Sequence, residues 1–251
     1  MENFVNQDSI VRKIWGDGDT ILLIFAGASA EFALNKAVDW LYFTGKLPAD
    51  PLKRLFSTVA YARQIVFSDY NDANIAIDKI NSIHKGVEKS RGKTIPDWAY
   101  KDVLYMLIDY SIRSFELLER PLSMKEKEEV FEVFNRMGAR MKLANLPQNY
   151  HEWQILRNKA LNENLLNGNF TNDLYKQYKK HLGWFRYQIL LQAQMVLVPK
   201  RVNQLLNLGF NPIFKGLIKV YQLSKRVGIG SFIKFMIMPP EYKKEIIALD
   251  S

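Results

Sequence analysis

Cysteine is absent from this chain, and histidine occurs only three times in 251 residues, as His84, His151 and His181. The first absence excludes disulfides, thiol nucleophiles, Cys-bearing zinc sites, iron–sulfur clusters and thiolate-ligated haem. The scarcity of histidine goes further. None of the three has a glutamate three residues before it, and none pairs with another at helical spacing. The Glu-x-x-His pattern of di-iron bundles and the His-Glu-x-x-His of zinc proteases are therefore both missing. Metal chemistry in this chain has to lean on one histidine and a prosthetic group. Long apolar runs are lacking as well. The longest begins at Thr20 and is interrupted by Glu31, Lys36 and Asp39. That falls short of the roughly 20 residues that cross a bilayer, so it reads as a buried helix. The opening Met-Glu-Asn-Phe has no basic n-region, and no secretory signal is expected. Internal repeats and low-complexity segments are also missing.

What is present is ordinary for a folded chain: 48% hydrophobic residues and a net charge of +9. The charge is unevenly placed. From Leu174 to Ser251 there are 13 Lys/Arg against 3 Asp/Glu, whereas the first 173 residues carry 22 against 23. The basic third is interleaved with Phe210, Phe214, Tyr221, Phe232, Phe235 and Met236. Such a mixture suits contact with the anionic head groups of a membrane. A nucleic-acid surface would also be basic, but helix-turn-helix, zinc-module and aromatic RNA-binding signatures are missing, so no nucleic-acid partner is expected. The plain alternative is a solvated helix face. The expectation is a cytoplasmic protein that touches a membrane peripherally; nothing in the sequence sets its oligomeric state.

Helical periodicity dominates and strand-like alternation is scarce, so the predicted class is all-α, one multi-helix domain over residues 1–251. A short helix precedes Trp15, and Asp19 is the expected N-cap of the apolar helix after the Gly16–Asp19 turn. Asp50 followed by Pro51 is an N-cap with proline at the first helical position, opening a helix to about Phe67. Further helices are expected over Asn71–Val87, Asp97–Leu118, Ser123–Met141, Tyr150–Asn167, Asn172–Leu208 and Pro212–Arg226, with a short final piece. Ser123-x-x-Glu126 is a capping box. Pro199 should kink or end the long helix that contains it.

Two helices carry the residues of chemical interest. On the helix from Asn71, Ala73, Ile77, Ile80, His84 and Val87 share one apolar face. A histidine there is either a core residue whose nitrogens find partners, or an inward imidazole able to ligate haem iron. On the preceding helix Leu55, Val59, Ala62 and Val66 form an apolar stripe, with Arg54, Thr58, Tyr61 and Ile65 beside it. The second stripe is either solvated or lines a pocket in which Arg54 binds an anionic group and Thr58 or Tyr61 hydrogen-bonds a ligand.

From about Ile10 to Leu165 the chain resembles the catalytic domain shared by bacterial rubber oxygenases (latex-clearing proteins) and the fungal oxygenase of mycophenolic acid biosynthesis. The resemblance is carried by Trp15-Gly16-Asp17, Asp50-Pro51-x-x-Arg54-Leu55-x-x-Thr58, Tyr61, Phe67, Asp72-Ala73, Ile77 and His84-x-x-Val87. Ser114-Phe115, Pro121-Leu122-Ser123, Gly138 and Leu146-Pro147 follow in order. It implies an all-helical fold that holds haem b, with the axial histidine at His84 and the pocket arginine and threonine at Arg54 and Thr58. Tyr61 would stand beside the cofactor. It also implies dioxygen and an apolar, prenyl-like substrate, cleaved oxidatively at a carbon–carbon double bond. The cofactor would supply the bond-breaking chemistry and the protein would orient an oily molecule.

The chain departs from the family pattern at defined positions. Asn81 and Glu88 stand where arginines flank the histidine, Ser57 where the rubber oxygenase has a lysine, and Ile108 where a later histidine falls. Glu31 and Leu34-Asn35 replace a glutamine and a His-Pro pair. The resemblance predicts a haem-dependent oxygenase or peroxygenase. The departures, with the basic aromatic third, suit a non-catalytic helical protein that binds a lipid or other apolar ligand at a membrane surface.

Overall fold

Helix α2 (Gly18–Leu34) buries residues on every side, among them Ile21, Ile24, Phe25, Ala30 and Leu34, and most of the other helices pack against it. A helix that is apolar all round belongs at the centre of a core, and this one is. The computed structural model describes residues 2–45, 49–211, 216 and 220–222, without the side chain of Leu55. Among these residues there is no strand, only two isolated bridging pairs, Asn3 with Asp69 and Asn35 with Leu165. The class is all-α, as the periodicity predicts.

The helices α1 (Ile10–Gly16), α3 (Val38–Phe43), α4 (Pro51–Phe67), α5 (Tyr70–Arg91), α6 (Asp97–Leu118), α7 (Met124–Arg140), α8 (Tyr150–Glu163), α9 (Asn169–Leu197) and α10 (Lys200–Leu206) complete the described fold. Helix α6 lies along α2 and is also largely buried. Contact is close at Gly27, where an added Cβ would stand 2.2 Å from a Tyr110 ring carbon and 2.9 Å from Leu197. Only glycine fits there.

Local signals set most boundaries. Asp50 caps α4 by accepting from the Lys53 amide at 2.9 Å, and Ser123 and Glu126 form the expected capping box of α7. Asp69 caps α5, and Gly92, at φ 67°, ends it. Asp17, not Asp19, caps α2: its carboxylate accepts from the amides of Asp19 and Thr20 at 2.8 and 3.2 Å. The turn is shorter than predicted because Asp17 itself takes the extended backbone that an N-cap needs. The apolar run also stops at Leu34, since the Asn35 side chain turns back to accept from the Ala37 amide at 2.8 Å. Helix α8 ends at Glu163, before the predicted Asn167. The long helix predicted over Asn172–Leu208 is interrupted twice. Gly183 leaves helical geometry inside α9, and Pro199 separates α9 from α10.

No helix of the described residues is long and apolar enough to cross a membrane. Leu47 and Pro48, most of the predicted Pro212–Arg226 helix, the final piece, and Phe214, Phe232, Phe235 and Met236 lie outside the described residues.

Candidate functional site

Helices α4 and α5 form an antiparallel hairpin turned at Ser68-Asp69, and its open end carries the predicted residues. On α5 the apolar face is sealed at Ala73, Ala76 and Ile77 and only half covered at Ile80, His84 and Val87. His84 is therefore at the edge of the core. Its Nδ1 is buried and makes no hydrogen bond among the described residues. Burial, followed by the positive charge of Arg54, lowers the imidazole pKa to about 4, against the opposing pull of Glu88. At neutral pH the ring is uncharged and keeps a free lone pair, the form that binds metals.

Arg54 is half-buried in the first turn of α4. Its Nη1 reaches Ser57 Oγ at 3.1 Å and Thr58 Oγ1 at 3.5 Å, and among the described residues it has no carboxylate partner. Burial lowers its pKa, and Tyr61 acts in the opposite direction. A half-buried guanidinium whose hydrogen bonds among the described residues go to two hydroxyls retains donors for an anion. Thr58 is exposed, its hydroxyl donating to the Arg54 carbonyl at 3.1 Å. Tyr61 is half-buried, with the Lys79 ammonium 5.9 Å from its ring centre. The hairpin thus gathers His84, Arg54, Thr58 and Tyr61 along one partly open face.

Two further groups reach this face. Tyr100, from α6, lays its ring 5.0 Å from that of His84. Glu88 sits in an arginine position of the family pattern and is tied to the start of α6, accepting from the Ile95 amide at 2.8 Å and from the Tyr100 hydroxyl at 3.4 Å. Glu88 fixes the wall beside the histidine. Tyr100 has no signal in the local sequence, because its role depends on how α6 packs.

The resemblance implies haem, and the residues present fit it. A neutral imidazole with a buried unpaired nitrogen is a competent iron ligand, and a desolvated arginine without a carboxylate suits a propionate. Among the described residues no three His, Asp or Glu side chains come together as a metal cage.

A family model described as "ER-bound oxygenase mpaB/B'/Rubber oxygenase, catalytic domain" matches residues 12–218. The chain belongs to this family. The match runs past Leu165, so the family's oxygenase catalytic domain takes in α9, α10 and the first part of the basic third. No curated protein matches the chain.

The family's glutamine position, Glu31 here, lies in a buried ion cluster behind the hairpin. Arg157 donates to both Glu31 oxygens, the Oε2 contact measuring 2.6 Å, and to Asp109 Oδ2 at 2.9 and 3.1 Å. The Tyr110 hydroxyl donates to Glu31 at 2.8 Å. Burial works against the Arg157 charge, yet the two carboxylates raise its pKa well above the ordinary value. The sequence signal is partial: Arg157 shares an inward stripe with Tyr150, Trp153 and Leu161, but its partners lie on other helices. A cavity of about 360 Å³ lies elsewhere, between the halves of α9 and α10, and contains none of the predicted site residues.

Proposed function

We propose that the chain is a haem b-dependent oxygenase or peroxygenase acting on an apolar, prenyl-like substrate, with His84 as the protein ligand to iron. One observation supports the reading: the uncharged His84 ring, its buried Nδ1 unpaired among the described residues, beside an Arg54 guanidinium that has no carboxylate partner among them. Bound haem supplies the redox chemistry with which dioxygen attacks a carbon–carbon double bond. The protein's share is positional. His84 offers a neutral nitrogen and Arg54 holds an anionic group of the cofactor. Thr58 presents a hydroxyl beside Arg54 at the open side, while Tyr61 and Tyr100 supply ring surface. An apolar substrate partitions into membranes, and a peripheral position at an anionic membrane surface on the cytoplasmic side would give the protein access to it.

Protein produced with haem supplied should show a Soret band, and H84A should lose it while keeping its helical circular dichroism. Wild-type protein that folds fully, stays colourless and takes up no added haemin rejects the reading.

A further inference from the structure

Helix α9 is two helices meeting at a break. Gly183 takes φ 71° and ψ 169°, a backbone state that residues with side chains avoid, so the helix stops after Leu182 and restarts at once. The first two residues of the restart are Trp184 and Phe185, and they stand 67% and 63% exposed. An aromatic pair this open has no core to enter, and exposed large apolar groups clustered at one point mark a contact surface.

Along the chain, the charge on either side of the break is of one sign. On the turn before it Lys176, Lys179 and Lys180 recur at i, i+3 and i+4, all exposed, none with an ion-pair partner among the described residues. No aspartate or glutamate occurs from Leu174 to Pro240. The last acidic residue before that stretch, Asp173, is occupied by the Tyr42 hydroxyl at 2.9 Å. Rings that seat at the head-group level beside ammonium groups that meet lipid phosphates are the chemistry of a membrane interface.

We infer that the break at Gly183 is a docking point for an anionic bilayer, with Trp184 and Phe185 entering the interface and Lys176, Lys179 and Lys180 lying against lipid head groups. A nucleic acid is disfavoured by geometry: successive residues of a helix point about 100° apart, so the two rings do not make one stacking platform. Both still reach a bilayer, because they sit together at a helix end. Gly183 breaks the helix directly before the pair, so the two rings open its second segment. The inference rests on the proposed oxygenase function only for its purpose, which is to bring the protein to a solvent in which an oily substrate dissolves.

Vesicle binding needs no haem, so the test separates the two readings. Full-length protein should co-sediment with phosphatidylcholine vesicles containing phosphatidylserine and much less with phosphatidylcholine alone, and added salt should release it. Changing Lys176, Lys179 and Lys180 to alanine should weaken binding by roughly a hundredfold at low salt. W184S/F185S should weaken it by about tenfold or more, with circular dichroism unchanged because both side chains are exposed. Bromine-labelled acyl chains should quench wild-type fluorescence, and W184F should lose that quenching. Binding that ignores lipid charge, or that survives both sets of substitutions, overturns the inference. So does self-association abolished by W184S/F185S without vesicle binding, or a preference for single-stranded RNA over vesicles.

Discussion

Arg54 and His84 stand equally far along the chain from Asp69, the cap at the hairpin turn, and so meet across α4 and α5 closely enough for the arginine's charge to depress the histidine's pKa. The pairing serves two ends. It adds to burial in keeping the imidazole neutral against the pull of Glu88, and it places beside the ring a cation with no carboxylate partner among the described residues.

The pH behaviour of His84 follows from that contact. Its folded pKa, about 4, lies below the ordinary value of 6.5. The unfolded chain therefore binds the proton first as pH falls, and the stability His84 contributes is complete above about pH 6.5 and lost towards pH 4. A histidine NMR titration should show His84 unprotonated at pH 5.5. Haem affinity should stay level from pH 7.5 to about 5.5 and then fall.

R54A should leave the fold intact, since no buried carboxylate loses its partner. Its effect should appear in haem binding, weakened by about ten- to a hundredfold as a charge-assisted hydrogen bond is lost. R54K should recover only part of this, because an ammonium lacks the planar fork. Haemin titration followed by absorbance measures both.

Arg157 should behave in the opposite way. R157A strands two buried carboxylates, Glu31 and Asp109, and is expected to cost about 3–5 kcal/mol in urea unfolding. E31Q restores the family residue and keeps a hydrogen-bond acceptor for Arg157, so its cost should be smaller than that of R157A.

G27A should destabilise by about 2 kcal/mol or more, since the new methyl group overlaps the Tyr110 ring, whose hydroxyl is held by Glu31. Substituting Gly86, beside which nothing lies within 4 Å, should have no such packing penalty. Thermal melting of the two alanine variants makes the comparison.

Asp102 is pushed up to about 6 by burial, although the side-chain amides of Asn35 and Asn164 favour its charged form. Here the folded state binds the proton more tightly than the unfolded state. Stability therefore falls as pH rises from about 4 to 6, by up to about 3 kcal/mol. D102N should remove that fall, which urea unfolding at several pH values will show.

The residues of the hairpin were readable in sequence because their logic is local. Asp50-Pro51 starts α4, an i, i+4, i+7 stripe places Arg54, Thr58 and Tyr61 together, and a 3.6-residue period puts His84 on the face of Ala73 and Ile77. Exposure was not readable: Thr58 is open and His84 half covered, which depends on what packs against each helix and not on its own period. The Gly183 break was missed because an isolated glycine does not stop a helical pattern by itself, and only its positive φ reveals the stop. Glu31 was visible as a departure from the family pattern, yet its partner lies on another helix.

The sequence by itself determined the helical class, most helix starts and the exclusion of thiolate chemistry, because capping, periodicity and the lack of cysteine act within a few residues or need no structure. Tertiary structure alone decided that Glu31 and Asp109 share Arg157, that Tyr100 and Glu88 build the wall beside His84, and that Trp184 and Phe185 face outward. Those relations join helices far apart in sequence and follow from how buried surfaces pack, which no local pattern encodes.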